Sequence, residues 1–521
     1  MFRRTIISSF CALLAVSIAA AGAENDARLM DAARKGDRAA LNALLQQKVN
    51  VNAPGVDGTT ALHWAVRSDD VDMAELLLRA GANPKAVDRY GVTPLYLAAE
   101  NGNGLMIRKL LDAGADPNST DPTGETALMA ASRTGNPDAL KVLIERGAKV
   151  NAKDPDYEQT ALMLAVRENH PEAVKVLIDS GADVAAQTRV GPVPAFRPPC
   201  KGTGCGSEGV GINRGGLPDR GRRAATTGGL SPLMYAARDG RLAAAKMLVA
   251  AGADVKQSEA NDISPLLMAI LNNNLDVALF MLDSGADINT QDFWGRFPLW
   301  AAVELRNRDM NNRDQDSPTD NGLDRAPILE FIKVLIARGA NVNARTKEVP
   351  PSRSWLYSLG DVSWVDFTGQ TPFLRAALSG DTTVMQLLLD NGADPNITTF
   401  AGTTALMAAA GVNWVVAQTY TESKESVLEA VKLCLEKGAD INAKNSMGLT
   451  AMLGAANRGS NEIIEFLVKN GARLDVKDKE GRSPITWAEG VFLAAVGAER
   501  KPSTIALLEK LMAEKAQQEQ K

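Results

Sequence analysis

A short pattern, Thr or Ser, then Pro or Ala, then Leu, returns along this chain about eleven times. It reads Thr60-Ala61-Leu62-His63-Trp64-Ala65, Thr93-Pro94-Leu95-Tyr96-Leu97-Ala98 and Thr126-Ala127-Leu128-Met129-Ala130-Ala131, and closes far downstream at Ser483-Pro484-Ile485-Thr486-Trp487-Ala488. The glycines ahead of the first three, Gly58, Gly91 and Gly124, stand 33 residues apart. A period in this range means stacked supersecondary units rather than one closed globule. It directs the search for function to an extended surface instead of a catalytic centre.

The stretch Gly91–Thr123 shows what one repeat specifies. Asp88-Arg89-Tyr90-Gly91 has the composition of a tight turn. Thr93 suits a helix cap, and Pro94 suits the first helical position, where no N–H is needed. Leu95, Leu97 and Ala98 begin a short helix, which Asn101-Gly102 breaks. Ile107, Leu110 and Leu111 form the apolar stripe of a second helix, and Gly114 ends it. The same Gly-Ala stop recurs at Gly81, Gly147, Gly181, Gly252, Gly285, Gly339, Gly392, Gly438 and Gly471. In regular repeats, start and stop glycines are 23 residues apart (58 to 81, 91 to 114, 124 to 147). A helix pair this short cannot bury its apolar face alone, so neighbours must stack.

The Thr-Pro-Leu-His-x-Ala start, the Leu-Leu-rich second helix and the Gly-Ala-Asp/Asn-Val-Asn end resemble the ankyrin repeat family. The resemblance covers roughly residues 25–513. It implies an all-α solenoid of about twelve helix-turn-helix repeats, with β-turn or hairpin fingers and several loop insertions. The first repeat lacks the Thr-Pro-Leu start, but Leu29-Met30-Asp31-Ala32-Ala33 aligns with Leu62–Val66, as an N-terminal cap would. The family's His survives only as His63, where the resemblance implies a hydrogen bond between repeats. Tyr96, Met129, Met163 and Met234 take its place elsewhere.

Residues 1–23 differ from the rest. Arg3 and Arg4 precede an uncharged, mostly apolar run from Thr5 to Ala20, ending Ala21-Gly22-Ala23. This predicts a secretory signal peptide cleaved before Glu24, and so an exported chain, periplasmic or secreted, without stable membrane insertion afterwards. An uncleaved anchor is the alternative. The expected organisation is signal peptide 1–23, repeat domain 24–513 and polar tail 514–521. Export takes ATP and cytosolic nucleic acid off the list of expected partners, and the net charge of −5 gives no general argument for nucleic acid. Export also permits disulfides. Cys200 and Cys205 lie close together and could pair, remain free or help hold a metal, though two histidines in the chain offer few further ligands. Cys434, four residues before Gly438, reads as a small core residue.

Against the repeat ruler, excess residues fall near 191–228, 306–325, 347–367 and 411–424. The first insertion is rich in Gly, Pro and Arg and predicts a loop without regular structure. The third carries Trp355, Tyr357 and Trp364, and aromatic side chains favour packing on the chain itself or on a partner.

No histidine lies at catalytic-motif spacing from a serine, cysteine or carboxylate. Gly202-Thr203-Gly204-Cys205-Gly206 lacks the Gly-Lys-Ser/Thr ending of a phosphate loop. The reading is therefore a non-catalytic monomer without cofactor that binds a protein. In ankyrin-like proteins the turn tips and first-helix face line a concave groove. By that resemblance the partner-binding candidates are Arg89, Tyr90, Glu100, Phe293, Trp294, Arg296 and Phe400, with Trp355, Tyr357 and Trp364 from the third insertion. Trp64 and Trp300 fall inside helix starts and read as core or half-core. The alternatives are a carbohydrate or small-ligand platform on the Trp/Tyr insertion, or an accessory subunit or chaperone of an exported enzyme.

Overall fold

The computed structural model describes residues 27–192, 226–307, 324–348, 365–366, 368–412, 423–491 and 499–519. The expected signal peptide, Cys200, Cys205, Trp355, Tyr357 and Trp364 lie outside the described residues. The chain forms two compact units, residues 1–191 with 228–259, and residues 192–227 with 260–521. Both are built almost entirely of paired helices.

In the first unit the expected repeat appears residue by residue. Thr93 caps the helix Pro94–Glu100, its hydroxyl accepting from the Tyr96 N–H at 3.2 Å, and Pro94 sits at the first turn. After the break comes Gly104–Asp112, capped by Asn103 and followed by Gly114 at φ 98°. A Cβ at Gly114 would meet nothing within 4 Å, so glycine is needed there for its left-handed backbone and not for space. The pairs Ala61–Arg67 with Val71–Arg79, Ala127–Thr134 with Pro137–Glu145, Ala161–Arg167 with Pro171–Asp179, and Pro232–Asp239 with Leu242–Ala250 repeat the plan. An N-terminal pair, 27–35 and Arg38–Gln46, precedes them as the expected cap. First helices pack on first helices of the next repeat, and second helices on second helices. Leu62, Leu95, Leu128 and Leu162 form the inner layer, Leu77, Leu110, Leu143 and Leu177 the outer, all at most 1% exposed. Burying one such side chain contributes about 1.5–3 kcal/mol, and much of that burial comes from the neighbouring repeat.

The second unit holds Pro265–Leu271 with Leu275–Asp283, Pro298–Arg306 with Arg325–Ala337, Pro372–Ser379 with Thr382–Asp390, Ala405–Ala410 with Lys424–Glu436, Ala451–Arg458 with Asn461–Lys469, and Pro484–Glu489 with Pro502–Glu519. The last helix runs past the expected boundary at 513. Phe297 stands where other repeats carry the capping Thr or Ser, so Pro298–Arg306 has no side-chain cap; Phe297 is instead buried in the core.

Two sets of hydrogen bonds fix one repeat on the next. Asn118 donates from Nδ2 to the Gly147 carbonyl at 3.0 Å and accepts from the Lys149 N–H at 2.9 Å. Asn151 does the same with Gly181 and Asp183, and in the second unit Asn343 with Gly392 and Asp394. The amide therefore satisfies a helix-end carbonyl that its own repeat leaves open. The second set joins the turn tips: Arg89 N–H to Asp57 carbonyl at 2.7 Å, Arg189 to Tyr157 at 2.8 Å, Phe293 to Asn261 at 2.9 Å and Phe400 to Thr368 at 2.8 Å. Pro122 and Pro155 occupy the donor position in two repeats and cannot make this bond.

His170, at the start of Pro171–Asp179, donates from Nε2 to the Arg133 carbonyl at 2.7 Å and lies over Gly135 of the preceding repeat. Gly135 has φ 77°, and a Cβ there would sit 2.2 Å from the imidazole. Gly135→Ala is expected to destabilise the chain by about 2–4 kcal/mol, combining left-handed backbone strain with the clash. Adding His170→Ala should recover the clash and leave the strain. Thermal unfolding of the single and double variants decides this, and wild-type stability for Gly135→Ala alone would contradict the packing.

Candidate partner-binding surface

Several of the turns that precede first helices are tied by a buried or half-buried side-chain acceptor. Asp88 is 8% exposed, and its Oδ1 accepts from the N–H groups of Tyr90 and Val92, both at 2.9 Å. The carboxylate holds the turn closed, and the next side chain stands out. Tyr90 is 60% exposed, with the Arg89 guanidinium 5.0 Å from its ring centre and Arg89 Nη2 donating to its hydroxyl at 2.8 Å. That bond and the charge around it raise the already high Arg89 pKa further. Both residues are where the sequence placed them.

Tyr157, at the tip two repeats on, is exposed as well, although the repeat pattern does not mark it. Its turn has one extra residue, so Glu158 occupies the left-handed position at φ 57° in place of a glycine. Asp154 still organises it, accepting from the N–H groups of Tyr157 and Gln159 at 2.7 Å each. The glycine ruler passes over such a tip.

In the second unit, Phe293 and Trp294 are half-buried and meet edge to face with ring centres 5.4 Å apart. The Trp294 carbonyl accepts from the N–H groups of Lys347 and Glu348 at 2.9 and 3.0 Å. Arg296 departs from expectation. It is 4% exposed, paired through Nε with Asp292 Oδ2 at 2.6 Å and lying 4.9 Å from the Trp294 ring centre. Its charge is spent on Asp292, whose carboxyl burial pushes up and Arg296 pulls down. Arg296 is thus a support of the tip and not an anchor. Phe400 is exposed as expected, and Arg345, which the sequence did not single out, lies 4.3 Å from its ring centre while donating to the carbonyls of Gly369 and Thr398.

The helix-start position supplies a second inner layer. His63 is buried; its Nδ1 accepts from the Thr60 N–H at 3.2 Å and its Nε2 donates to the Val92 carbonyl at 3.1 Å. Burial lowers its pKa and holds it neutral. Trp300 fills the same place in its repeat, donating from Nε1 to Gln370 Oε1 at 2.9 Å, and is core. Trp64 is half-buried beneath Arg67. Tyr96 reaches Glu125 Oε2 at 3.4 Å, and Arg133 reaches the same oxygen at 2.9 Å. The interior also holds ion pairs that sequence spacing did not reveal, among them Arg306 with Asp381 at 2.9 Å. Glu100 is exposed at the end of its helix. Cys434 is buried, with its thiol pushed up to about 12 by desolvation, which leaves it an inert core residue. Among the described residues no group of three or more His, Cys, Asp or Glu side chains is arranged to hold a metal ion, and no helix is long and apolar enough to cross a membrane.

A family profile described as "Ankyrin repeats (3 copies)" matches residues 29–121, 97–188, 217–292, 233–311 and 420–491, and one described as "Ankyrin repeat" matches 368–397. Among curated proteins, the chain is similar to Ankyrin repeat domain-containing protein 46 of Rattus norvegicus and of Mus musculus. Each is 38% identical over 129 residues, covering 24% of this chain and 49% of the relative. The chain thus spans about half the length of the curated relatives it matches.

Burial raises the Glu125 carboxyl, with Arg133 opposing. A raised folded-state pKa gives stability that is full below the unfolded pKa and is lost as pH rises through the folded one. At pH 7 the charged form therefore costs stability. Glu125→Gln should raise the unfolding free energy at pH 7 by on the order of 1 kcal/mol, with the gain shrinking as pH falls through the raised folded-state pKa and gone below the ordinary Glu range. A loss of stability at pH 7 in urea titration would contradict this.

Proposed function

Because the chain belongs to the ankyrin repeat family, whose members are in general protein-interaction scaffolds, we propose that it is an exported, non-catalytic scaffold that binds a protein through its turn tips and inner helix face. The observation that carries this is the exposure of aromatic rings on tips that the backbone holds in place. Tyr90 and Tyr157 stand out in the first unit and Phe400 in the second, each with its own or its neighbour's main chain bonded to the adjacent turn. Rings held this way lose little freedom on association, and buried aromatic anchors supply most of the energy in typical interfaces. Phe293 and Trp294 add a half-buried aromatic pair. Export rests on the Arg3-Arg4 start and the apolar run ending Ala21-Gly22-Ala23, and it points to a partner in the periplasm or outside the cell. The non-catalytic reading rests on the lack of any catalytic spacing in the sequence.

Crosslinking in the intact cell envelope, followed by mass spectrometry, identifies the partner. Tyr90→Ala, Phe400→Ala and the pair Phe293→Ala with Trp294→Ala should each weaken its capture by about tenfold or more. Tyr90→Ala and Phe400→Ala should also change stability by under about 0.5 kcal/mol, since those side chains are largely exposed. Capture unchanged in all these variants would overturn the assignment of the tips.

A further inference from the structure

On the inner face of the first unit one carboxylate is left half-satisfied. Glu125 directly precedes the capping Thr126 and is 7% exposed. Its Oε2 accepts from Arg133 Nη1 at 2.9 Å and from the Tyr96 hydroxyl at 3.4 Å. Its Oε1 is buried and has no hydrogen-bond donor. Arg133 reaches back along its own helix to make the contact, and the small Ala130 one turn earlier leaves it a path. Neighbouring repeats carry Leu97 and Leu164 at that place.

The charge around this group is unbalanced. Asp121 acts on Glu125 from the turn, and Glu125, Asp121 and Glu100 together raise the Tyr96 phenol beyond what burial does, with Arg133 alone opposing. Glu100, exposed at the rim, and the buried Glu125 both add negative charge around Tyr96 against Arg133, while Asp121 is engaged by the N–H groups of Thr123 and Glu125 in its own turn. An unfilled buried acceptor costs free energy that an incoming donor recovers, and surplus negative charge selects a cationic one.

We propose that Glu100, Glu125 and Tyr96 form a subsite for a basic side chain of the partner, a lysine or arginine whose N–H groups fill Glu125 Oε1 and pair with Glu100. This rests on the inner face being the binding surface, and it names the chemistry that face takes. Arg133 then shifts from sole counter-charge to one of two.

The test uses the full chain, with a fluorescein-labelled short peptide of alternating lysine and serine, and the same peptide with glutamate for lysine. Anisotropy at low salt should show binding of the lysine peptide and none of the glutamate peptide. Glu125→Gln and Glu100→Gln should each weaken the lysine peptide by about tenfold, while Glu172→Gln, an exposed carboxylate on another helix, should leave it unchanged. Glu100→Gln, at an exposed position, tests the subsite independently of any change in the packing around Glu125. Wild-type affinity in Glu100→Gln and Glu125→Gln, equal losses in Glu172→Gln, or equal binding of the glutamate peptide would overturn the subsite. Tyr90→Ala separates the two readings. Partner capture lost in Tyr90→Ala but kept in Glu125→Gln refutes the subsite and leaves the scaffold reading standing.

Discussion

Everything in both units depends on burial that no repeat can achieve alone. A helix of seven residues followed by one of nine, as in Pro94–Glu100 and Gly104–Asp112, has too little internal surface to hide Leu95, Ile107 and Leu110. Each is essentially buried only because the preceding and following repeats supply the opposite walls. The Asn bonds then set the register of this stacking. Asn118 and Asn151 reach across to the carbonyls of Gly147 and Gly181, groups that the left-handed helix ends leave unpaired.

That constraint leaves the tips free to vary. Turn geometry is fixed by Asp88, Asp154 or Asp292 and by main-chain bonds between turns, so the outward residue carries little of the fold. Tyr90, Tyr157 and Phe400 can therefore differ from repeat to repeat at small cost in stability. The inner face works differently, because its side chains are half in the core. Glu125 illustrates the conflict: a buried carboxylate with one open acceptor, held by Arg133 and Tyr96, is a poor choice for packing alone.

The lattice was legible in the sequence because its signals are local. A Thr or Ser caps the third N–H of its own helix, a glycine takes the left-handed position, and an apolar stripe marks each second helix, all within one repeat. The site was legible only in part. Tyr90 and Phe400 follow from turn position alone, but Arg296 does not, since its pairing with Asp292 buries it against Trp294. Tyr157 was hidden by a single inserted residue that replaced the marker glycine with Glu158. The Arg306–Asp381 pair joins residues of adjacent repeats across an insertion that obscures the spacing, and Arg345 reaches Phe400 from the preceding repeat. Contacts between repeats are not encoded in the grammar of any one repeat.

The central claim is that the aromatic tips are presented rigidly by the stack. Native-state hydrogen exchange of the full chain tests it at the amides of Arg89, Arg189 and Phe400, which sit on exposed turns but donate to neighbouring turns. The account predicts that these amides exchange about as slowly as those of the first helices beside them. Exchange at the rate of open loops, while the helices stay protected, would contradict it.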